Sequence, residues 1–173
     1  MIILIRRIIR GLVAPNCQIS CSTKTWKEGL RELYRRGGNK RESGAFLLGK
    51  NDNGVLRILR FVYYDDLEPC CLDTGMVVMN GSGYGVLWSQ CREKNMKVVS
   101  DIHTHPGLAV QSELDRKNPM IAVKGHIALI IPYYAAKYVQ YSQIGIYEYD
   151  GDHKWYNHSK KDEKPFFYIG MWG

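Results

Sequence analysis

At 173 residues, with 45% hydrophobic and 24% charged side chains, the chain is long enough to bury one core and too apolar to be disordered. Lys and Arg number 24 against 17 Asp and Glu, a formal net charge of +7, and the surplus gathers before residue 45 in Arg6, Arg7, Arg10, Lys24, Lys27, Arg31, Arg35, Arg36, Lys40 and Arg41. No zinc finger, RNA-recognition signature or basic heptad array accompanies it, so a solvated face is expected rather than a nucleic-acid surface, and the five cysteines lack the paired C-x-x-C spacing of a structural zinc site and the even number of a disulfide framework.

The opening MIILIRRIIRGLV is apolar and basic, but arginines break the apolar run after five residues, too short for a bilayer span and without a small-residue cleavage site. It reads as a first strand or helix of the domain, with an interfacial anchor as the alternative. Thr25 and Glu28 have capping-box spacing, and Trp26, Leu30, Leu33 and Tyr34 then fall on one helical face up to Gly37, which predicts a helix. SGAFLLG at 43–49, the turn at 51–54 and the apolar, β-branched run 55–64 predict two paired strands, with Glu42 at the mouth of the first. After the NGSGYG turn, Tyr84, Leu87, Trp88 and Cys91 predict a second helix that stops near Asn95. Further strands are predicted at 97–103, 126–131 and 143–149, the last turning at Asp150 and Gly151 toward Trp155. A charged loop at 159–164 leads into PFFYIGMWG, expected to dock back on the sheet. Helices mixed with hairpin-connected strands imply an α+β or three-layer fold in a single domain.

Residues 103–115 read HTHPGLAVQSELD. At the end of a strand, the i, i+2 spacing of His103 and His105 puts both imidazoles on one face, with Thr104 turned away. Pro106 cannot extend a central strand, so the chain leaves the sheet there and can return Asp115 as a third ligand, leaving the fourth tetrahedral position of a zinc ion for water. Glu42, a carboxylate outside the ligand set, then serves as the base that takes the water's proton and returns it to a leaving amine, and Ser112 can donate a hydrogen bond to the developing oxyanion. Read alone, S-x-x-D at 112–115 is also a capping box that starts a short helix.

Taken together, Glu42 in ESGAFLLG, His103 and His105 in HTHP, and Ser112 and Asp115 in SELD resemble the motif of JAB/MPN metalloenzymes, also called JAMM or MPN+ domains. The resemblance covers roughly residues 20–150, with 151–173 as a C-terminal extension of the same single domain spanning 1–173. It implies a cytidine-deaminase-like α/β sandwich, a mixed, mostly antiparallel sheet flanked by helices. It also implies one catalytic zinc, and hydrolysis of the peptide or isopeptide bond after the C-terminal glycine of a ubiquitin-like protein. Five residues, Gly107 to Gln111, separate Pro106 from Ser112. That spacing is slightly shorter than in the eukaryotic deubiquitinases and closer to the prokaryotic branch, which lies beside relatives of ubiquitin-activating and ubiquitin-conjugating enzymes in bacterial operons, some of them antiviral. A cytoplasmic enzyme that processes or deconjugates a bacterial ubiquitin-like protein is the implied function, with no nucleic-acid or membrane partner. The alternatives are the same zinc chemistry on a sulfur-carrier precursor or small peptide amide, and a non-catalytic MPN scaffold.

Weaker signals are set aside. His126, His153 and His158 read as satisfied core or surface histidines. The GSGYG at 81–85 lacks a full phosphate-binding pattern. Tyrosines 133, 134, 138, 141, 147 and 149 suggest an aromatic surface or core packing. Segments near 63–80 and 107–111 are expected to flank a groove that takes an extended glycine-rich tail as an added strand.

Overall fold

The computed structural model describes residues 14–79, 81–159 and 165–173. The basic apolar opening, read above as a first strand or helix, and most of the charged loop at 159–164 lie outside the described residues.

The chain begins with a short strand, β1 (Ile19–Ser22), and enters helix α1 (Thr23–Gly37). Ser22 caps that helix by accepting the Thr25 N–H at 3.1 Å, so the capping residue lies three before the Thr25 expected from sequence. Gly38, at φ 60°, ends it in the left-handed conformation that glycine adopts without strain. A hairpin of β2 (Gly44–Asp52) and β3 (Val55–Tyr63) follows, then a single turn, α2 (Tyr64–Leu67), and helix α3 (Gly83–Glu93). The remaining elements are β4 (Lys97–Thr104), the short α4 (Glu113–Lys117), β5 (Ile127–Ile131), β6 (Gly145–Gly151), β7 (Lys154–Asn157) and β8 (Phe167–Gly170).

The eight strands of the described residues form one sheet in the order β7-β6-β5-β4-β2-β3-β1-β8. Pairing is antiparallel for β2–β3, β2–β4, β5–β6 and β6–β7, and parallel for β1–β3, β1–β8 and β4–β5. The helix-flanked α/β sandwich implied by the motif resemblance, and with it the α+β, cytidine-deaminase-like (JAB/MPN) assignment, is therefore corrected: the molecule is a curled, eight-stranded half-barrel with few helices. The physical reason lies in the strands. Twist accumulates across eight of them. The register of β2 also slips against both neighbours, at Leu47/Leu48 toward β4 and at Leu48/Gly49 toward β3, and such bulges bend a strand. A curled sheet closes much of its own core, and among the described residues only α1 and α3 run beyond five residues. The segment after residue 150 contributes to this sheet, β8 forming the edge beside β1.

β2 is buried along Gly44–Gly49 on both sides, as a central strand must be, and alternation divides it. Ala45 and Leu47 join Ile19, Leu33, Ile58, Ile102 and Leu129 in the core beneath α1. Phe46 and Leu48 join Val62, Tyr64, Leu72 and Leu87 in a second cluster. No described helix is long and apolar enough to cross a membrane.

Candidate metal centre

β4 lies between β2 and β5, and its C-terminal end delivers the two histidines. Thr104 points to the other face, as its place in the strand requires, and its hydroxyl accepts the Ser43 N–H at 3.0 Å. The chain beyond it is held as firmly. His105 donates its N–H to Ile131 O at 2.9 Å and accepts the Tyr134 N–H at 2.8 Å. Tyr133, Tyr134 and Ala135 all have positive φ, at 54°, 54° and 58°. Three successive non-glycine residues in that region are costly, at about 1–2 kcal/mol each, and this turn is anchored directly on the histidine-bearing peptide. Gly44 faces His103 across the strand pair. A side chain there would enter the Tyr64 ring and the Ile102 carbonyl, so only glycine lets β2 lie this close.

Asp115 arrives from the other direction. The loop after Pro106 is fixed by Tyr147, whose hydroxyl accepts the Gln111 N–H at 3.2 Å and donates to Ala109 O at 3.3 Å. Ser112 then caps α4 in a full capping box: its hydroxyl accepts the Asp115 N–H at 3.1 Å, and its own N–H and hydroxyl both reach Asp115 Oδ2 at 2.7 Å. The capping box is therefore present, and it orients the Asp115 carboxylate that the ligand reading requires.

The ligand atoms of His103, His105 and Asp115 all lie within 4.8 Å of one another. His103 Nε2 is 2.9 Å from His105 Nε2 and 3.5 Å from Asp115 Oδ1, and His105 Nε2 is 3.3 Å from Asp115 Oδ2. Two imidazoles and a carboxylate fit a zinc ion in their chemistry, and His103 and His105 approach different oxygens of Asp115, so the carboxylate can present either one. Both histidines are 8% exposed, so the cluster is largely shielded from solvent.

Glu42 stands beside this set and outside it, with Oε1 4.0 Å from His105 Nε2. Its N–H donates to Gly75 O at 3.0 Å, which ties the mouth of β2 to the 73–79 segment. Burial raises the Glu42 carboxyl above its ordinary value, against the lowering charges of His103 and His105. Burial disfavours charge on His103, but the hydrogen bond and charge of Asp115 prevail and raise its pKa. Asp115 is held well below the usual carboxylate range, its burial outweighed by hydrogen bonds from His103 and His105.

The residues set aside lie elsewhere. His126 Nε2 donates to Asp101 Oδ1 at 2.6 Å, and Tyr64 OH donates to Asp101 Oδ2 at 3.3 Å. Asp101 shares the His103 face of β4, and neither it nor its pairing was singled out from sequence. The signal available was a carboxylate two residues before a histidine, hence on the same face of the predicted strand. His158 pairs with Glu148 at 2.9 Å, and His153 sits in the β6–β7 turn at φ 57°. Gly83 of the 81–85 segment begins α3. The tyrosines do not gather into one surface: Tyr147 and Tyr149 are buried, Tyr141 packs near Phe167, and Tyr138 stands in solvent.

No known family profile matches the chain. The solution structure of a protein from Desulfitobacterium hafniense is similar with a TM-score of 0.61 and 16% sequence identity over 86% of this chain and 92% of that one, a likeness of fold alone. A solution structure of a protein from Salinibacter ruber gives a TM-score of 0.46 at 16% identity, covering 80% of this chain and 88% of that one.

Proposed function

We propose that this chain is a zinc-dependent hydrolase of peptide or isopeptide bonds, with the ion held by His103, His105 and Asp115. The observation that carries the reading is the convergence of those three ligand atoms within 4.8 Å, with a fourth side chain, the carboxylate of Glu42, held just outside them. When bound, zinc contributes Lewis acidity, polarising an amide carbonyl and easing deprotonation of water at neutral pH. Everything else falls to the chain itself. Glu42, whose raised pKa suits a group that must both take and return a proton, moves that proton from water to the leaving amine. Ser112 has one hydroxyl proton, and here it is given to Asp115. In this arrangement Ser112 orients a ligand, and donation to a developing oxyanion requires it to turn away from the carboxylate.

The surroundings favour an extended chain as substrate. Leu108 and Val110 stand exposed in the loop between His105 and Asp115, and Met76 and Val78 in the segment that holds Glu42. Exposed apolar side chains in both segments suit a peptide substrate. The resemblance of ESGAFLLG, HTHP and SELD to the JAMM motif makes the glycine-terminated tail of a ubiquitin-like protein the substrate of choice, met in a bacterial cytoplasm alongside activating and conjugating enzymes of the same operon. No disulfide links the five cysteines, which suits a reducing compartment.

Elemental mass spectrometry of the purified chain beside His103→Ala and Asp115→Ala tests the metal. Near-stoichiometric zinc that falls in both variants is expected, and its absence from folded, unchelated protein would favour the scaffold reading. Cleavage of linear fusions to a ubiquitin-like protein, a sulfur-carrier precursor and a small peptide amide, with Glu42→Gln as the inactive control, then assigns the substrate.

A further inference from the structure

Along β4, away from the histidine pair, a cavity of ≈ 400 Å³ opens where Lys97 and Val98 meet the end of α3 and the segment before β5. Small-ligand sites of this size combine apolar walls with a few converging polar groups. Here the walls are Trp88, Met96, Val98 and Val123, and the polar groups are Lys97, Lys124 and His126.

His126 is the informative one. Its side chain is 6% exposed, and Nε2 lies 2.6 Å from Asp101 Oδ1. A carboxylate only accepts, so Nε2 carries a proton, and in the tautomer protonated at Nε2 alone Nδ1 is an acceptor. Nδ1 has no hydrogen-bond partner among the described residues, and the ring lines the cavity. The carboxylate, itself held by Tyr64, fixes the ring, and Nδ1 can accept from a ligand in the cavity. Trp88 leaves 41% of its surface exposed and Val123 62%, an apolar cost that a ligand would remove. The two lysines differ: Lys124 is bound to Asp150 at 2.6 Å, whereas Lys97 has no ion-pair partner among the described residues.

We propose that this cavity is a second binding site, for a small aromatic acid that also carries a hydroxyl group. The aromatic body covers Trp88 and Val123, the hydroxyl donates to Nδ1 of His126, and the acid meets Lys97. The site shares no residue with the metal cluster and stands or falls independently of the hydrolase reading.

The test is a titration of the 15N-labelled full chain with 4-hydroxyphenylacetate, followed by amide and indole shifts. Its controls are 4-methylphenylacetate, which lacks the hydroxyl, and 4-methylphenol, which lacks the acid. Saturable shifts at the Trp88 indole, Val98 and residues 123–126 are expected, with a dissociation constant on the order of 1 mM, as suits so small a probe. Both controls, and the exposed-site variant Lys97→Glu with 4-hydroxyphenylacetate, should bind about tenfold more weakly. The spectrum of Lys97→Glu itself reports whether the variant is folded, and the two control compounds need no variant. Absence of saturable shifts up to about 10 mM, shifts centred on His103, His105 and Asp115, or equal binding of all three compounds would overturn the proposal.

Discussion

The two faces of the sheet meet the demand for burial with different chemistry. Beneath α1 the space is filled by side chains such as Leu33, Leu47, Ile102 and Leu129, each with no exposed surface. On the opposite face the cluster around Phe46, Tyr64 and Leu87 gives way along β4 to Asp101, His103 and His105, with Glu42 and Asp115 drawn in beside them. Buried polar groups are tolerable only when paired, and apolar side chains in their place are often no less stabilising. One face therefore carries stability, and the other holds polar groups whose placement answers to something besides stability.

Substitutions on the two faces should separate by readout. Glu42→Gln is expected to lower kcat/KM on a cleaved fusion by about 10²–10⁴-fold while the denaturation midpoint stays put; unfolding instead would show that the second face is structural too. Leu129→Ala should do the converse, costing about 2–5 kcal/mol in denaturant titration while the zinc content of the folded fraction is unchanged. Ser112→Ala sharpens the comparison within the polar face: losing the bonds that aim Asp115 should weaken zinc about 10–100-fold in chelator competition, with little change at His103. At the surface of α1, Gly38→Ala places a side chain at φ 60° and should cost about 1 kcal/mol, visible as a lower thermal midpoint. The smallest effect belongs to Glu32, held at about 2 chiefly by its hydrogen bond from Arg35. Its lowered value means that its contribution is complete above the unfolded value of about 4.3 and disappears as pH falls toward about 2; solvent screening keeps it below about 1 kcal/mol in acid titrations of wild type against Glu32→Gln.

The elements legible in the sequence are those whose pattern is local. Trp26, Leu30 and Leu33 announce α1 through their spacing, and SGAFLLG announces β2 through its unbroken burial. β1 offers only Ile19 and Cys21 as inward residues, too short a run to stand out, and it exists because β3 and β8 pair with it from distant parts of the chain. Layer arrangement is not local at all. The curl depends on register slips in β2 and on parallel pairings across long intervals, so a correct set of helices and strands was compatible with a sandwich that does not form. At the candidate site, HTHP and SELD could be read because strand alternation and helix capping are short-range rules. The Asp101–His126 bond could not, since it joins neighbouring strands whose order was unknown.

The third ligand rides on a different kind of support from the first two. His103 belongs to a central strand with neighbours on both sides and His105 follows it directly, bonded to Ile131, whereas α4 has five residues, none of them buried, and is tethered from outside by Trp155 Nε1 donating to Arg116 O at 3.1 Å. Opening α4 breaks few contacts, so its amides should exchange with solvent through local fluctuations, while those of β4 wait for global unfolding. Exchange of a zinc ion held as proposed is then expected to follow the hydrogen-exchange rate of α4 rather than that of β4, and both rates can be measured on one chain.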